Sequence, residues 1–347
     1  MLKRRHPGTG DTVSGRVTRG TRDGLSEGAG TARDLSAESP ETKRRSPLAD
    51  FVIRLVKEKP LGTFGAVITL ILLFVGIFAG FLAPYGMNET HTAEALSPSS
   101  AKYWLGTDDL GRDLLSRVIY GARISVIVGL SAATIATTLS AIVGMLSGYI
   151  GGRFDLIVQR FVDAWMCVPS LVFLLVLVSM IGPGIPQVIF ALGLRWGIAG
   201  SRTVRSAVIA IKENQYVGAA RAIGCRLRKV LWQHILPNIA APLIVIFTTQ
   251  VPNAILNEAA LSFLGFGVPP PAPSWGGMLS GTGRTYMFMA PWMVIWPGLA
   301  LSIVVYGVNM FGDAVRDLLD PRLRGGAGRF GARKVRKGAP VNKRAPG

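Results

Sequence analysis

The sequence predicts an all-α polytopic membrane protein with six transmembrane helices, and three observations support that fold class. The first is composition: the 347 residues are 49% hydrophobic and only 17% charged, with a mean hydropathy of +0.39. An ordinary soluble domain is less apolar and carries more charge. The second observation is a series of long apolar runs, and the third is where the basic residues lie between those runs.

Six apolar runs recur along the chain. They cover residues 61–83, 124–150, 156–181, 185–199, 239–264 and 291–311. Five of these runs reach the roughly 20 residues that a helix needs to cross a bilayer. The run at 185–199 is shorter and contains Arg195, so its length alone does not identify it as a span.

The basic residues decide between five and six spans. Residues 1–60 contain 13 Lys and Arg against 8 Asp and Glu, residues 201–234 contain 7 against 1, and residues 313–347 contain 10 against 3. These three segments carry the whole net charge of +18. Six spans place all three segments on one side of the membrane, and five spans do not. Because basic loops stay cytoplasmic, the sequence predicts a multi-pass protein of the cell membrane with both termini in the cytoplasm.

Four regions follow from this arrangement. Residues 1–60 lack apolar periodicity and are predicted to form a disordered basic tail, without the apolar run of a cleavable signal peptide. Residues 61–123 supply the first membrane helix and an extracytoplasmic segment. Residues 124–313 form the core, which includes a basic loop at 215–238. Residues 314–347 form a second basic tail.

The composition and the motifs do not support nucleic-acid binding or catalysis. The positive charge follows the membrane topology and no nucleic-acid module is visible, so contact with anionic membrane lipid explains the charge better. The chain contains no phosphate-binding G-x-x-x-x-G-K-[ST] motif. His6, His91 and His234 are dispersed, and Cys167 and Cys225 have no disulfide or metal-site spacing. The sequence therefore predicts no enzyme, no catalytic residue, no metal site and no cofactor bound by this chain.

The segment between the first two spans reads W-L-G-T-D-D-L-G-R-D-L-L-S-R-V-I-Y-G-A-R-I-S. Thr107 is predicted to cap a helix, with Asp108 and Asp109 at its N-terminus, where carboxylates are stabilised. The apolar positions that follow suit an interfacial helix lying on the bilayer, which needs no ligand. Because the carboxylates alternate with Arg112, salt bridges are expected here rather than a metal site.

Residues 215–238 read Q-Y-V-G-A-A-R-A-I-G-C-R-L-R-K-V-L-W-Q-H-I-L-P-N and predict two short helices joined by a turn. Residues 216–223 are compatible with a helix, and Gly224 supplies a position for positive φ. Residues 226–235 resume helical spacing and should end before Pro237. Such a compact pair, small on one face and basic on the other, suits a groove on another protein. A solvated, lipid-facing loop is the alternative interpretation.

The order of residues in this loop resembles the EAA loop of ABC-importer permeases. The match is A-A-x-x-x-G, at Ala219, Ala220 and Gly224, followed by I-L-P. In that family the loop is the coupling helix, which sits in a cleft of the cytoplasmic ATPase. The resemblance implies ATPase contacts by five coupling residues, which are Gly218, Ala219, Ala220, Arg221 and Gly224. The family's glutamate position is Gly218 here, so a salt bridge from that glutamate is not expected.

The outer segment carries a more specific resemblance, to the C-type subunits of dipeptide, oligopeptide and nickel importer permeases. The pattern G-T-D-x-x-G-R-D-x-x-S-R-x-x-x-G-x-R-x-S spans residues 106–125, and a second long motif spans 257–276. The resemblance covers about residues 61–322. Tyr103 stands where many relatives have a histidine. The six signature residues are Gly106, Thr107, Asp108, Gly111, Arg112 and Asp113.

This resemblance implies a type I ABC-importer permease fold and a transport function. A homologous second permease subunit, two cytoplasmic ATPase subunits that use ATP, and an extracytoplasmic substrate-binding protein would complete the importer. Di- or oligopeptides are the expected substrates, with nickel or another small solute as the alternative. Three rival classes have less support. A secondary transporter would show an inverted repeat, an enzyme would show a polar catalytic cluster, and a structural scaffold would not need motifs at both membrane faces.

Three polar residues within the predicted spans are candidates for the translocation path: Asp163, Glu258 and Asn309. Charge inside a membrane is costly and must face protein or water. Pro169 and Pro252 also lie within spans, and interrupted helices often line transport cavities. Hydrogen bonding between helices and kinks that serve packing are the alternative roles.

Overall fold

The structure is a computed structural model that describes residues 47–319. Within that range the regular structure is helical apart from one isolated bridge, between Thr107 and Asp113. The helices are α1 (Pro47–Glu58), α2 (Pro60–Ile77), α3 (Ala79–Leu82), α4 (Leu114–Ile150), α5 (Gly152–Cys167), α6 (Ser170–Ile181), α7 (Ile185–Lys212), α8 (Gln215–Ala222), α9 (Leu227–Lys229), α10 (Ala240–Phe263), α11 (Trp275–Leu279), α12 (Gly281–Thr285) and α13 (Trp292–Leu319).

The long helices run alternately between two ends of the bundle. One end carries residues 213–239 and is called the loop end here. There the amino end of α2 meets the carboxyl end of α13, where Lys59 Nζ lies 2.5 Å from Asp317 Oδ2. The other end carries residues 84–113 and 264–291 and is called the signature end. There Trp292 Nε1 donates to the carbonyl of Thr107 at 3.1 Å.

Six passes account for this alternation: α2, α4, the α5–α6 pair, α7, α10 and α13. Among the described residues, four helical stretches are long and apolar enough to cross a membrane, and the α5–α6 pair, bent by 91°, makes a fifth. The sixth, α7, is less apolar because it carries four basic residues. Its 28 residues are nevertheless about 42 Å long, which exceeds the roughly 30 Å hydrocarbon core. The predicted all-helical, six-span fold is confirmed.

Small residues bring the helices of the bundle into close contact. A Cβ added to Gly144 of α4 would lie 2.6 Å from the carbonyl oxygen of Ser201 on α7. Ser140 Oγ donates to the Gly197 carbonyl between the same helices at 2.8 Å. A Cβ on Gly65 of α2 would lie 2.4 Å from the carbonyl oxygen of Gly307 on α13. Because apolar side chains gain little by leaving lipid, such close backbone packing and hydrogen bonding hold membrane helices together.

Two boundaries at the chain ends differ from the predicted ones. Residues 47–58 were placed in the disordered tail, yet they form α1, in which Leu55 is buried in a cluster with Ala314 and Leu318. The second tail was predicted to begin at residue 314, but α13 continues to Leu319. The helix α1 therefore packs against the carboxyl end of α13. Residues 1–46 and 320–347 lie outside the described residues, so the rest of each tail remains a prediction.

The internal spans also differ in detail. The run predicted at 156–181 divides into α5 and α6 at Val168 and Pro169, because a proline disfavours helix at the residue before it. The short run at 185–199 belongs to a helix that continues to Lys212. α4 begins at Leu114, so the interfacial helix predicted after residue 107 is the first part of this membrane helix.

Candidate functional site

The loop predicted at residues 215–238 begins with α8, which ends in a Schellman motif. Gly224 has φ +80°, its N–H donates to Arg221 O at 2.9 Å, and the N–H of Cys225 donates to Ala220 O at 3.0 Å. Glycine is favoured at this position because other residues are strained at positive φ. The predicted turn at Gly224 is confirmed.

The second half of the loop departs from a simple helix. α9 is a single turn, and Val230–Ile235 continue it as a π-helix. The predicted stop before Pro237 is wrong, because Leu236–Ile239 form a 3-10 turn that leads directly into α10. A proline can occupy the first turn of a helix because its missing N–H has no partner there anyway.

Four of the five predicted coupling residues are exposed: Gly218, Ala219, Arg221 and Gly224. Ala220 differs, since only 6% of it is exposed and it packs against its own chain. It can support α8 but cannot form the contact face for which it was predicted. Ile223, which is 80% exposed, adds a large apolar side chain to the accessible face. An apolar residue directly before the turn glycine was the sequence feature that could have identified it.

Tyr149, at the end of α4, holds α8 to the bundle. Arg221 Nε donates to the Tyr149 hydroxyl at 3.0 Å, and its guanidinium lies 4.6 Å from the ring centroid. Lys212 Nζ, at the end of α7, donates to the Tyr149 carbonyl at 2.6 Å. A cation–π contact and a hydrogen bond thus join α8 to α4, and the Lys212 bond joins the ends of α4 and α7. The sequence pattern did not identify Tyr149.

At the signature end, Asp113 rather than Thr107 caps the helix. Asp113 Oδ2 accepts from the N–H of Ser116 at 2.8 Å and from its hydroxyl at 2.6 Å. Thr107 is buried and fastens the preceding loop: its hydroxyl donates to Glu94 O at 2.5 Å and accepts from the N–H of Ser97 at 2.8 Å. The predicted cap was wrong because a second capping residue lies six positions further along the chain.

Asp108 and Arg112 close a tight turn between these residues. Asp108 Oδ1 accepts from the N–H groups of Leu110 and Arg112, at 3.0 and 2.9 Å, and Arg112 Nε lies 2.6 Å from Asp108 Oδ2. Arg117 Nε approaches the same carboxylate at 3.5 Å. Gly106 and Gly111 have φ of +84° and +71°. The predicted salt bridge between Asp108 and Arg112 is confirmed.

Tyr103, which precedes the signature residues, is almost fully buried. Its hydroxyl donates to the Glu94 carboxylate, which also accepts from Lys102 Nζ at 2.8 Å. The hydrogen bonds from Lys102 and Tyr103 lower the pKa of Glu94 below its ordinary value. The Tyr103 ring lies 5.5 Å from that of Tyr85. This cluster fixes the loop that precedes the signature residues.

The signature residues border a cleft of about 840 Å³ at this end of the bundle. Asp108, Asp109, Arg112 and Arg117 supply charge on one side. The proline-rich loop at residues 269–271 supplies an apolar wall on the other. The two long sequence motifs thus meet at one surface.

The three predicted translocation-path residues lie apart. Asp163 on α5 faces an open cleft, where it contacts Arg202 of α7 and lies 3.8 Å from Arg160. Asn309 is on an exposed face of α13 and bonds its own helix, donating to Val305 O at 2.9 Å. The structure brings no two of the three candidates together.

Glu258 is buried near the end of α10, with only 1% of its surface exposed. Ser262 Oγ donates to its carboxylate at 2.6 Å and accepts from the N–H of Val268 at 3.1 Å. The Ser274 hydroxyl is a second partner of the carboxylate, and it caps α11 by accepting from Gly277 N–H. Glu258 therefore anchors the loop that follows α10. This contact explains why the motif at 257–276 contains both the glutamate and the two serines.

Comparison with known proteins identifies the class. The family described as binding-protein-dependent transport system inner membrane component matches residues 140–325, which is more than half of the chain. The family described as the N-terminal transmembrane domain of oligopeptide transport permease C matches residues 46–98. The chain therefore belongs to the inner-membrane permeases of binding-protein-dependent ABC importers, which are transport components rather than enzymes. Such permeases work with an ATPase and a substrate-binding protein.

Three of its relatives are named as C-type subunits. It is 38% identical to the dipeptide transport system permease protein DppC of Alkalihalophilus pseudofirmus, over 78% of this chain and 88% of the relative. It is 37% identical to the oligopeptide transport system permease protein OppC of Bacillus subtilis, over 83% and 94%. It is 38% identical to the di/tripeptide transport system permease protein DppC of Pseudomonas aeruginosa, over 84% and 97%. The resemblance drawn from the signature residues is confirmed.

Among solved structures, one methionine importer matches part of this chain. The inward-facing MetNI methionine ABC transporter matches with a TM-score of 0.47 and 16% sequence identity. The match covers 59% of this chain and 96% of that one.

Proposed function

We propose that this chain is the permease subunit that carries di- or oligopeptides across the cytoplasmic membrane in an ABC importer. The observation that carries the proposal is the exposed helix α8, which ends at Gly224 and is bonded through Arg221 and Tyr149 to the end of α4. The three relatives described above are dipeptide, oligopeptide and di/tripeptide permeases, which supports peptides as the substrate class.

The coupling step follows from the contacts of α8. The exposed face of α8 carries two small residues, Gly218 and Ala219, next to one large apolar side chain, that of Ile223. A face of this shape suits a cleft in a cytoplasmic ATPase. This chain binds no nucleotide, and ATP is used by two partner ATPase subunits. Because Arg221 is joined through Tyr149 to α4, a shift of α8 moves membrane helices with it. Contacts that differ between nucleotide states of the ATPase thereby bias inward- against outward-facing states.

The orientation places the loop end in the cytoplasm, together with both chain termini. The basic residues between 213 and 234 and the described ends of the chain lie at that end, which agrees with the positive-inside rule. The cleft at the signature end then faces outward, where a substrate-binding protein delivers the peptide. A homologous second permease and membrane lipid cover the exposed apolar side chains on the bundle, such as Phe161, Met180 and Ile303.

The coupling role is tested with Ala219→Trp in the assembled complex. Ala219 is exposed and helical, so a large side chain there blocks docking without straining the fold, whereas Gly224→Trp would also strain a backbone at φ +80°. Ala219→Trp is expected to insert normally and to lose at least about tenfold in peptide-stimulated ATP hydrolysis. Ala219→Ser is the matched control and should retain stimulation. Normal stimulation in Ala219→Trp would show that α8 is not the coupling element.

The orientation is tested with single cysteines in a chain whose native Cys167 and Cys225 are replaced by serine. A cysteine at Ser99 should react with an impermeant thiol reagent in intact cells. A cysteine at Gln215 should react only after the cells are opened. Labelling of Gln215→Cys from outside would contradict the six-span orientation.

A further inference from the structure

A polar cleft lies between α5 and α7, on a face of the bundle that this chain leaves open. It has a volume of about 470 Å³. The residues that line it are Leu156, Gln159, Arg160, Asp163, Arg202 and Arg205. Only one of the six is apolar, although both helices belong to predicted membrane spans.

The charges in the cleft do not balance. Arg205 forms a two-pronged pair with Asp155, with nitrogen–oxygen distances of 2.6 and 2.5 Å, so those two charges compensate each other. Asp163 is shared by two cations: it contacts Arg202 and lies 3.8 Å from Arg160. One carboxylate thus pairs with two guanidinium groups. The three arginines of the cleft against Asp155 and Asp163 leave a net charge of +1. The Arg160 side chain is 78% exposed and accounts for that excess.

These charges lie within two helices that belong to passes of the bundle, rather than in a connecting loop. Asp163 follows Gly152, the first residue of α5, by eleven residues, and Arg202 precedes Lys212, the last residue of α7, by ten. At about 1.5 Å per residue, the pair lies roughly 15 Å along these helices from their ends at the loop end of the bundle. Charged groups within membrane-spanning helices face protein or a water-filled path rather than lipid.

The helix α5, which lines this cleft, is interrupted shortly after Asp163. α5 stops at Cys167, and the chain turns by 91° into α6. The carbonyl of Val168, freed by the break, accepts from Arg195 Nη2 of α7 at 3.1 Å. Broken helices whose ends are held in this way are typical of transporter cavities near the bilayer midplane. The cleft therefore has the features of a segment of the translocation path.

We propose that Arg160, held beside Asp163 and Arg202, binds the C-terminal carboxylate of a peptide as the peptide crosses the membrane. The proposal rests on the proposed transport of peptides and assigns a contact to it. A carboxylate would match the two guanidinium groups with two anions, and arginine binds carboxylates with two parallel hydrogen bonds. The C-terminal carboxylate is the anionic group that peptides of any sequence share, whereas the excess positive charge repels a free metal cation.

The test compares uptake of one peptide with uptake of its C-terminal amide by the reconstituted full complex. Arg160→Gln is expected to lower uptake of the free acid about tenfold, the scale of a lost hydrogen bond to a charged group, and to leave uptake of the amide unchanged. Arg160→Lys should restore part of the difference. Arg153→Gln is the matched control, because Arg153 is an exposed arginine two turns earlier on α5 and outside the cleft. Any preference of the binding protein is the same in every variant and cancels in the comparison.

A second measurement needs no amide. In a chain without native cysteines, a thiol reagent labels Arg160→Cys or Arg153→Cys during turnover. Saturating free-acid peptide should slow labelling at position 160 and not at position 153. Equal loss of both peptides in Arg160→Gln, or no protection at 160, would overturn the proposal and indicate pairing of Arg160 with an acidic residue of the second permease. Wild-type complex that imports neither peptide would instead contradict the proposed function itself.

Discussion

Replacing Glu258 with alanine is expected to detach the loop after α10 from the end of that helix. The carboxylate is 1% exposed and accepts hydrogen bonds from Ser262 and Ser274. In turn Ser262 holds Val268 and Ser274 begins α11. One side chain thus connects α10 to two points of the following loop, and the alanine variant leaves both hydroxyls without this acceptor.

The expected cost follows from these contacts. Hydrogen bonds between side chains in membrane bundles contribute about 0.6 kcal/mol on average and up to about 1.7 kcal/mol. Two such bonds, together with about 0.8 kcal/mol for one buried methylene, amount to roughly 2–4 kcal/mol. Removing a buried carboxylate also removes its desolvation cost, which leaves a net loss of about 1–3 kcal/mol. Glu258→Gln keeps the volume and an acceptor oxygen, so its loss should be less than half as large.

Thermal unfolding of the assembled complex measures the stability, and limited proteolysis at residues 264–274 measures the order of the loop. Both should change in Glu258→Ala and remain close to wild type in Glu258→Gln, with peptide uptake following stability. If Glu258→Gln is as stable as wild type but no longer imports peptide, the carboxylate acts on the substrate path. That result would refute the anchoring role inferred from the structure.

Three further predictions concern both ends of the bundle. A Cβ at Gly218 would have no atom within 4 Å, so Gly218→Ala and Gly218→Glu should both fold. We expect the glutamate variant to show the weaker ATPase stimulation, because a partner matched to glycine would desolvate the new charge. A salt-sensitive gain in ATPase stimulation for glutamate over alanine would contradict this. Gly111→Ala should open the signature turn, since its Cβ would lie 2.0 Å from the carbonyl oxygen of His91 at φ +71°; unchanged hydrogen exchange in residues 106–113 would count against that. Lys102 and Tyr103 lower the pKa of Glu94, so their contact stabilises the outer segment at pH values above the ordinary glutamate pKa of about 4.3. This stabilisation is lost as the pH falls through the lowered pKa. Glu94→Gln should abolish the acid-dependent step in hydrogen exchange, and persistence of that step would exclude Glu94 as its cause.

Some of the fold could be predicted because single residues determine local geometry. Gly224 is a turn residue wherever positive φ is required, and the structure gives it φ +80°. The alternation of basic and neutral segments gave the number of spans even though the apolar run at 185–199 was too short by itself. Its helix continues as far as Lys212 because buried positions such as Val204 and Val208 pack against the bundle.

Other features depend on contacts between residues far apart in the sequence, and local patterns do not encode them. Thr107 and Asp113 are both good capping residues, and the bonds of the Thr107 hydroxyl with Glu94 and Ser97 leave Asp113 to cap α4. Ala219 and Ala220 are adjacent and identical in type, and only the packing of α8 against the bundle separates the exposed from the buried one. The polar residue Glu258 resembled a path residue in sequence because Ser274, much further along the chain, becomes its partner only in the folded protein.

Uptake of a labelled peptide by the reconstituted importer tests the central conclusion most directly. The complex should contain this chain, its second permease, two ATPase subunits and the binding protein. Peptide should accumulate inside proteoliposomes only with ATP on the side of the coupling loop, and Ala219→Trp should abolish that accumulation while Ala219→Ser retains it. Accumulation without ATP, or equal accumulation in both variants, would contradict the conclusion that this chain is a permease driven through α8.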